Sequence, residues 1–391
     1  MRSSSLLRTA AAAADAPSYT KSLSYATTLV RKFDSDAIYP SHFYPAATRP
    51  AYLALRAFNV ELATIDDNVS NAMVGRLRYQ WWRDAVKGVF EVSVRELELA
   101  GSCRETSCSR AGAGAASTAI CKTFYGATAD PRPFQQSKPP PHPLCTLLSA
   151  LPQRSQLSSY HFTRLINARE QHFLNPSFHN LQDLADYSAG TQASLLYLLL
   201  QATAPPRAAG AGFLAHAKPF EHKGDEHPDD GGEGAAMGGT TAEMKEPDDL
   251  TLDHAASHLA VANTIAILLR SIPHHATKRI NVIPAVIAAR HGLTEESLFR
   301  QGPNAEGLRE CVATMVGIAE AEMRTARGCF EGTSGVPERA VPVFASATAA
   351  RSFLTRLSSS KIAFDIFHGD LHKRYWKYPF QVWGDVRNKR F

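Results

Sequence analysis

The side chains best suited to chemistry lie in two short stretches, and the first of them is acidic. Glu61, Asp66 and Asp67 stand at the end of an apolar run with helical spacing. Carboxylate oxygens are the ligands that Mg²⁺ prefers, and two carboxylates share one helix face when they are four residues apart. No acidic pair in this run has that spacing. The run therefore lacks the paired carboxylates that a magnesium site on one helix requires.

The second stretch, LLRSIPHHATKRINVIP, runs from Leu268 to Pro284 and combines arginine, serine and histidine. Pro273 removes one hydrogen bond from a helix, so we predict that the helix ends or kinks there. His274 and His275 follow at once. They either line a polar pocket or simply occupy a helix C-terminus, where cationic side chains interact favourably with the helix dipole. The second interpretation is favoured.

Two other histidines, His254 and His258, are spaced to lie on one helix face and could bind a metal. Neither a Glu-x-x-His sequence nor a third ligand accompanies them, which favours solvated or capping histidines. The six cysteines include no Cys-x-x-Cys pair, which favours unpaired thiols in a reducing compartment. The sequence thus predicts no set of metal ligands.

The elements that would position these side chains are helices. Apolar residues recur with helical spacing over long segments, and almost nothing alternates with the period of a strand. The segments are 22–32, 47–69, 71–90, 158–169, 181–201, 252–269, 284–290, 305–327 and 341–367. We predict an all-α fold in which Trp81 and Trp82 pack in the core.

The composition supports a substantial core and a mildly basic surface. Hydrophobic residues make up 44% of the 391 residues, charged residues 20%, and the formal net charge is +5. That charge suits an anionic membrane surface or a protein of the mitochondrial matrix. It is weak support for nucleic acid, because it is not concentrated in one run. No uninterrupted apolar run reaches the roughly 18 residues of a membrane span, so we predict that any membrane contact is peripheral.

Three segments differ from the helices in composition. Residues 1–20 are rich in arginine, serine and alanine and poor in acids, which is typical of a mitochondrial transit peptide; a disordered, alanine-rich tail is the alternative. Residues 101–143 and 203–250 are rich in small residues and proline and bury too little apolar surface to become ordered. We interpret both as disordered insertions in one helical domain, 21–391, rather than as linkers between two domains.

Four stretches, in order, resemble the squalene/phytoene synthases, enzymes that join prenyl diphosphates head to head. In the first, SHFYPAATRPAYLALRAFNVELATIDDNVS, the residues Tyr44, Arg49 and Phe58 fit the segment that leads into the family's first aspartate-rich helix. The others are DLADYSAGTQASLLYLLLQ, HLAVANTIAILLR and ARSFLTRLSSSKIAFDIF. Together they extend over about 22–379, and their order and spacing make the resemblance specific.

The resemblance implies an isoprenoid-synthase-like helical bundle around a central cavity, where two facing aspartate pairs would hold diphosphate through Mg²⁺. On the family pattern, Ala63 and Asp67 occupy the first pair of positions, and Ser271 and His275 occupy the second. One of four metal-binding carboxylates remains. Serine is a weak ligand for Mg²⁺ and imidazole prefers softer metals, so the resemblance implies a lost metal site.

We therefore expect a vestigial cavity with no catalytic residue, metal or cofactor. Its residues are Glu61, Ala63, Asp66 and Asp67 from the degenerate first motif and Arg270, Ser271 and His275 from the degenerate second motif. The three acids are either solvated or paired with Arg56 or Arg270. An arginine left without a metal–diphosphate cluster needs a carboxylate, so a pair between Arg270 and Asp67 is the favoured expectation.

Three stretches resemble one divergent branch of this family, mitochondrial proteins needed to assemble complex I (NADH:ubiquinone oxidoreductase). They are AFNVELA, LRYQWWRDAV and LLRSIPHHATKRINVIPAVIAARHGLTEESLF. The resemblance implies a protein without prenyl transfer, peripheral to the inner membrane on its matrix side, whose partners are complex I subunits or assembly intermediates. A prenyl-lipid-binding protein and an active prenyl transferase are the alternatives. Nucleic acid is not an expected partner.

The C-terminal segment, HKRYWKYPFQVWGDVRNKRF, holds six Lys or Arg residues against one Asp, interleaved with aromatic residues. This pattern suits packing back on the domain, an anionic membrane interface, or stacked single-stranded nucleic acid, in that order of preference. Packing against the domain is therefore the expected role.

Overall fold

A computed structural model describes residues 18–69, 71–105, 140–205 and 247–391 of the chain. The regular elements in these ranges are helices, and no strand occurs among the described residues. The predicted all-α fold is confirmed. Residues 1–17, and most of the two segments interpreted as insertions, lie outside the described residues.

The helices before residue 206 form the N-terminal half of the described chain. They are α1 (Tyr19–Phe33), α2 (Ile38–Ser41), α3 (Arg49–Ala63), α4 (Ile65–Asn68), α5 (Ala72–Glu105), α6 (Pro143–Ser149), α7 (Ser159–Leu174), α8 (Leu181–Ser188) and α9 (Ser194–Thr203). A π-helical turn, Ala189–Ala193, joins α8 to α9, and short 3-10 turns cover Ser35–Ala37 and Arg154–Gln156.

The helices after residue 246 form the C-terminal half. They are α10 (Asp249–Thr277), α11 (Ala285–Arg290), α12 (Glu295–Gln301), α13 (Leu308–Gly328), α14 (Val341–Phe344), α15 (Ala347–Leu357), α16 (Gly369–His372) and α17 (Tyr378–Arg387). A 3-10 turn, Gly302–Asn304, follows α12.

Side-chain caps determine where some of these helices begin. At the start of α10, the Asp248 carboxylate accepts a hydrogen bond from the Thr251 amide, 2.8 Å away. At the start of α8, the Asn180 side chain accepts from the Asp183 amide, and the Asp183 carboxylate accepts from the Asn180 amide. These bonds satisfy amides that have no carbonyl partner within the helix.

Helix α10 lies at the centre of the fold. It packs against α13, α15 and the π-helical turn, and it carries buried residues from Leu252 to Ile272. By length and composition it is the one described helix that could cross a membrane, but 67% of its most apolar 18-residue stretch is buried inside the protein. It therefore serves as the core helix of a bundle.

Two apolar clusters meet along α10. The N-terminal cluster includes Phe58 of α3, whose ring centroid is 5.2 Å from that of Trp82 on α5 and 5.2 Å from that of Phe162 on α7. The C-terminal cluster includes Leu269 of α10 and Val312 of α13. Because α10 contributes buried residues to both clusters, the hydrophobic effect holds the two halves of the chain together there.

Packing overrides several local predictions of helix ends. The helix predicted over 47–69 is interrupted at Thr64, which separates α3 from α4. Helix α10 does not end at Pro273 but continues to Thr277. A proline removes a single hydrogen bond, and the turn around it is held by buried Ile272. The single helix predicted over 341–367 is replaced by two shorter helices, α14 and α15, and the second of them ends at Leu357.

The two neighbouring tryptophans of α5 have different environments. Trp82 is buried as predicted, at 5% exposure, whereas Trp81 is 40% exposed, so the prediction for Trp81 is wrong. Consecutive helix positions differ in direction by about 100°, and here that difference turns Trp82 toward the core and Trp81 toward the surface. The Trp81 ring packs edge-on against Trp82, with centroids 4.9 Å apart.

The π-helical turn brings the chain very close to α7. A Cβ atom at Gly190 would lie 2.5 Å from the Cβ of Ala168. Carbon atoms in favourable contact stay about 3.5 Å or more apart, so a larger residue at position 190 requires the backbone to move. Gly190 thus sets the distance between α7 and the turn that joins α8 to α9.

We predict that Gly190→Ala lowers the free energy of unfolding by about 1–3 kcal/mol, because the added methyl overpacks the contact with Ala168. Gly317→Ala is the matched control within α13, since nothing lies within 4 Å of a Cβ there. Alanine should stabilise that helix by up to about 1 kcal/mol. Urea unfolding measures both effects, and equal stability of the two variants would contradict the close approach.

Candidate functional site

A central cavity of about 460 Å³ opens where α3, α4, α7, α8 and α10 converge. Its lining includes charged, amide and imidazole side chains: Asp34, Arg56, Asn59, Asp66, Asp67, Arg169, His172, Gln192, Arg270, His274 and His275. Apolar side chains such as Leu62, Phe173 and Ile267 complete the wall. Opposite charges therefore face one another across a small space.

Six of the seven residues assigned to the two motifs line this cavity. They are Ala63, Asp66, Asp67, Arg270, Ser271 and His275. Glu61 lies outside it, contrary to expectation, and its carboxylate accepts a hydrogen bond from the Tyr25 hydroxyl. Glu61 precedes Ala63 by two residues, which turns it about 200° around the helix. It lines a separate cavity of about 200 Å³ beside Trp81 and His142.

The aspartate that the family pattern retains is paired with a cation of the chain itself. Asp67 Oδ1 lies 2.5 Å from Lys278 Nζ and 3.4 Å from His274 Nε2, and Asp66 lies 3.9 Å from the same lysine. Burial raises the pKa of Asp67, but Lys278 and His274 outweigh burial and hold that pKa below its usual value. Lys278 therefore supplies the positive charge beside these carboxylates.

The facing wall, on the last turns of α10, offers no carboxylate. The Ser271 hydroxyl donates to the Leu268 carbonyl at 2.8 Å, so it is used within its own helix. Burial lowers the pKa of His275, and nearby positive charges lower it further than the two aspartates raise it. A serine hydroxyl and a neutral imidazole are poor substitutes for the oxygen ligands that Mg²⁺ prefers.

Two arginines of the cavity pair with carboxylates from the turn after α1. Arg56 lies 2.5 Å from Asp34, with side chains 15% and 20% exposed, and Arg270 lies 2.8 Å from Asp36. Burial lowers the pKa of Arg56, but Asp34 outweighs burial and the guanidinium stays charged. The expected pair between Arg270 and Asp67 is therefore wrong, because the turn after α1 supplies the partner of Arg270.

A third arginine and a histidine stiffen the wall formed by α7. Arg169 donates hydrogen bonds to Asn59 Oδ1 at 3.1 Å and to the Tyr187 hydroxyl at 2.8 Å. The His172 ring stacks on Phe178, with centroids 5.1 Å apart. Burial lowers the pKa of His172 to about 4, and the charge of Arg169 contributes to the shift. The imidazole is therefore neutral at physiological pH.

Sequence reasoning missed several residues that decide the charge balance of the cavity. They are Asp34, Asp36, Arg169, His172 and Lys278. Arg169 and His172 are three residues apart and Lys278 follows His274 by four, but such spacings are common on any helix and mark no site. Asp36 is 234 residues from its partner Arg270. No local signal could have found them, because their partners come together only in the folded chain.

The residues of the cavity do not fit a magnesium–diphosphate cluster. Such a cluster needs several carboxylates that are free to face it, whereas Asp34 is paired with Arg56 and Asp67 with Lys278. Within the described ranges, no group of three or more His, Cys, Asp or Glu side chains is placed to hold a metal ion. The arrangement can instead hold a polar or anionic group among its arginines and imidazoles.

The other histidine pair, His254 and His258, lies outside the cavity. The His258 Nδ1 is 2.6 Å from the Glu322 carboxylate, and its Nε2 is 3.1 Å from the Nε2 of His254. Both nitrogens of His258 therefore have partners within the protein, which favours a structural role.

Comparison with known sequences points to one family. A sequence model of the family squalene/phytoene synthase matches residues 30–377. A protein of Rattus norvegicus named NADH dehydrogenase (ubiquinone) complex I, assembly factor 6, is 25% identical over 387 residues. The match covers 99% of this chain and 88% of the relative. The resemblance drawn from the sequence motifs is confirmed.

Two solved structures share the fold. A dehydrosqualene synthase in complex with a ligand matches with a TM-score of 0.60 at 14% identity, covering 95% of this chain and 96% of that one. A squalene synthase of Alicyclobacillus acidocaldarius matches with a TM-score of 0.54 at 15% identity, covering 88% and 95%. At these identities the likeness concerns the fold alone, and it confirms the predicted isoprenoid-synthase-like bundle.

We expect Asp34→Asn to destabilise the protein more than Asp36→Asn does. The first variant leaves Arg56 charged and nearly buried, at a cost of about 2–4 kcal/mol. The Asp36–Arg270 pair is more exposed, so its loss should cost less than about 1 kcal/mol. Denaturant unfolding compares the two variants, and equal midpoints would contradict the assigned pairs.

The pKa of His172 predicts a loss of stability in acid. Its value in the folded protein is about 4, against 6.5 for a free imidazole. Because the folded protein holds this imidazole neutral, its contribution to stability is fully present above the pKa of the unfolded chain, 6.5. That contribution is lost as the pH falls from 6.5 toward the folded pKa of about 4. His172→Phe should flatten this part of the stability curve by about 1–3 kcal/mol. Unfolding measured between about pH 7 and pH 4 tests this, and an unchanged slope would refute it.

Proposed function

The chain belongs to the squalene/phytoene synthase family, and we propose that within this family it is an assembly factor of mitochondrial complex I without prenyl-transfer activity. Ala63 and Asp67 then stand in place of one metal-binding aspartate pair, and Ser271 and His275 stand in place of the other. The relative of Rattus norvegicus, whose name describes a complex I assembly factor, supports this role along nearly the whole chain.

The observation that carries the loss of catalysis is the 2.5 Å pair between Asp67 and Lys278. The lysine ammonium neutralises a carboxylate that would otherwise attract a divalent cation. The arginines that could replace the metal are also engaged, Arg56 by Asp34 and Arg270 by Asp36. Both arginines therefore already compensate a carboxylate, which leaves them less able to stabilise a departing diphosphate.

The proposed protein acts on the matrix side of the inner mitochondrial membrane, to which it is peripheral. Residues 1–20 are its transit peptide and residues 21–391 its single helical domain. It works by binding complex I subunits or assembly intermediates. The net charge of +5 supports contact with an anionic membrane surface.

The central cavity supports a second candidate function, the binding of a prenyl lipid. Its volume of about 460 Å³ falls within the range of small-molecule pockets. Within the described part of the chain, His275 Nδ1 and Arg169 Nε are buried without a hydrogen-bond partner. A polar lipid headgroup could satisfy both atoms.

Loss of the gene should reduce assembled complex I on native gels. We expect a chain with Asp67→Asn to restore complex I, because assembly needs no metal-binding carboxylate at that position. Asp66→Asn is the matched control and should restore it equally. Normal complex I in cells without the gene would overturn the proposal.

The purified chain should give no turnover with Mg²⁺ and farnesyl diphosphate. Turnover that Asp67→Asn abolishes would identify an active transferase instead. A prenyl lipid that co-purifies with the chain, without turnover, would support the second candidate.

A further inference from the structure

Exposed aromatic side chains form a row along the C-terminal segment. Trp376, Phe380 and Trp383 are 70%, 68% and 52% exposed. Phe380, Trp383 and Arg387 are three and four residues apart, which places them on one face of α17, and Trp376 lies in the turn just before that helix. The Trp376 and Phe380 rings lie 6.4 Å apart. Contiguous exposed apolar surface of this kind marks a site of interaction.

The opposite face of α17 attaches the segment to the body of the protein. Val382 is fully buried, and the Asp385 carboxylate pairs with Arg351 at 2.5 Å. At the end of the chain, the Phe391 ring packs 4.9 Å from that of Phe344. The expected packing against the domain is confirmed for this face. The aromatic row is therefore a fixed surface.

Cations without carboxylate partners lie beside the aromatic row and in the residues that follow it. In the described part of the chain, no Asp or Glu lies within ion-pair distance of four of them: Lys377, Arg387, Lys389 and Arg390. Lys377 lies over the Trp376 ring, 5.4 Å from its centroid, and Arg387 lies 5.2 Å from that of Trp383. The one acid of the segment, Asp385, is held against the body. The exposed face is thus aromatic and uniformly basic.

Positive charge also continues from this row into a second cavity. Lys373 and Arg374, just before Trp376 in the chain, line a cavity of about 700 Å³. Arg31 and Arg356 line the same cavity from α1 and α15. Asp36 also lines this cavity and pairs with Arg270, and Lys373 pairs with Asp370. The cations of the lining still outnumber this single acid, and an excess of positive charge beside an apolar row attracts an extended anionic surface.

We propose that the row of Trp376, Phe380 and Trp383, with its bordering cations, docks the protein on the surface of an anionic lipid bilayer. Tryptophan and phenylalanine rings enter the boundary between headgroups and acyl chains, while lysine and arginine attract anionic lipids. Both requirements are met on one fixed face. The inference rests on the proposed function only for the identity of the bilayer, the inner mitochondrial membrane.

Single-stranded nucleic acid is the less suitable partner for this face. Successive bases stack on rings that present their faces along a groove. The planes of Trp376 and Phe380 instead meet at 77°, so the two rings do not form a common stacking platform. Aromatic rings can enter a bilayer interface without lying parallel to one another.

Sedimentation of the full chain with vesicles tests the proposal. We expect binding to vesicles of equal parts phosphatidylcholine and phosphatidylglycerol. Binding to pure phosphatidylcholine should be about ten-fold weaker or less, and salt should weaken the binding to anionic vesicles. Equal binding to both vesicles, or binding to neither, would overturn the proposal.

Replacing the three aromatic residues with serine should weaken binding to the anionic vesicles about ten-fold or more, because the rings no longer enter the interface. The matched control is Met73→Ser with Leu77→Ser, which removes exposed apolar side chains from α5. That control should bind like the unaltered chain. An equal loss in the control would show that the aromatic row is not the docking face.

A pair of charge variants tests the cations without altering the rings. Arg387→Gln with Arg390→Gln should weaken binding about ten-fold or more, whereas Arg290→Gln with Arg324→Gln removes equal charge elsewhere and should not. Unchanged binding by the first pair would overturn the proposal, even where the aromatic variant fails to fold. Retention of a single-stranded oligonucleotide without vesicle binding would assign the face to nucleic acid instead.

The failure of this proposal and that of the proposed function give different results. Vesicle binding by the purified chain together with normal complex I in cells without the gene would leave docking intact and remove the assembly role. Reduced complex I in those cells, together with no binding to anionic vesicles, would support the assembly role and overturn the docking proposal.

Discussion

Burial of α10 along most of its length is the constraint on which the rest of the structure depends. A 29-residue helix apolar enough to span a membrane has to be covered over most of its apolar surface by other helices. Residues such as Leu259 belong to the N-terminal cluster, and residues such as Leu269 belong to the C-terminal cluster. Beside its last turns these helices leave a gap, where Arg270 and His275 line the central cavity.

Charge in that cavity is compensated pair by pair. The pairs are Arg56 with Asp34, Arg270 with Asp36, and Lys278 with Asp67. Removing a charged group from water is costly unless an opposite charge or hydrogen-bond acceptors stay close. These three cations each have a carboxylate, and Arg169 donates instead to Asn59 and Tyr187. On the proposed function, this internal balance replaces the one that Mg²⁺ and diphosphate would have provided. It keeps a polar cavity inside an apolar bundle without an external ligand.

The two proposals concern separate parts of the molecule. The cavity lies at the end of α10 and carries balanced charge, whereas the face of α17 is exposed and carries positive charge that the described residues leave unbalanced. Balanced internal charge maintains a fold, while unbalanced surface charge creates a field that reaches a partner. A protein that docks on a bilayer and binds partners there needs the second property and does not need catalysis.

Local periodicity and motif order were enough to determine that the chain is all-α and which family it resembles. Both signals depend only on residues that are close together in the sequence. Only the tertiary structure decided which charges meet. Arg270 pairs with Asp36, 234 residues away, and Lys278 pairs with Asp67, 211 residues away. Electrostatic energy depends on separation in space, and spacing along the chain carries no information about it at such ranges. Packing also depends on contacts in space, and it decided the environment of Trp81 and the end of α10 beyond Pro273.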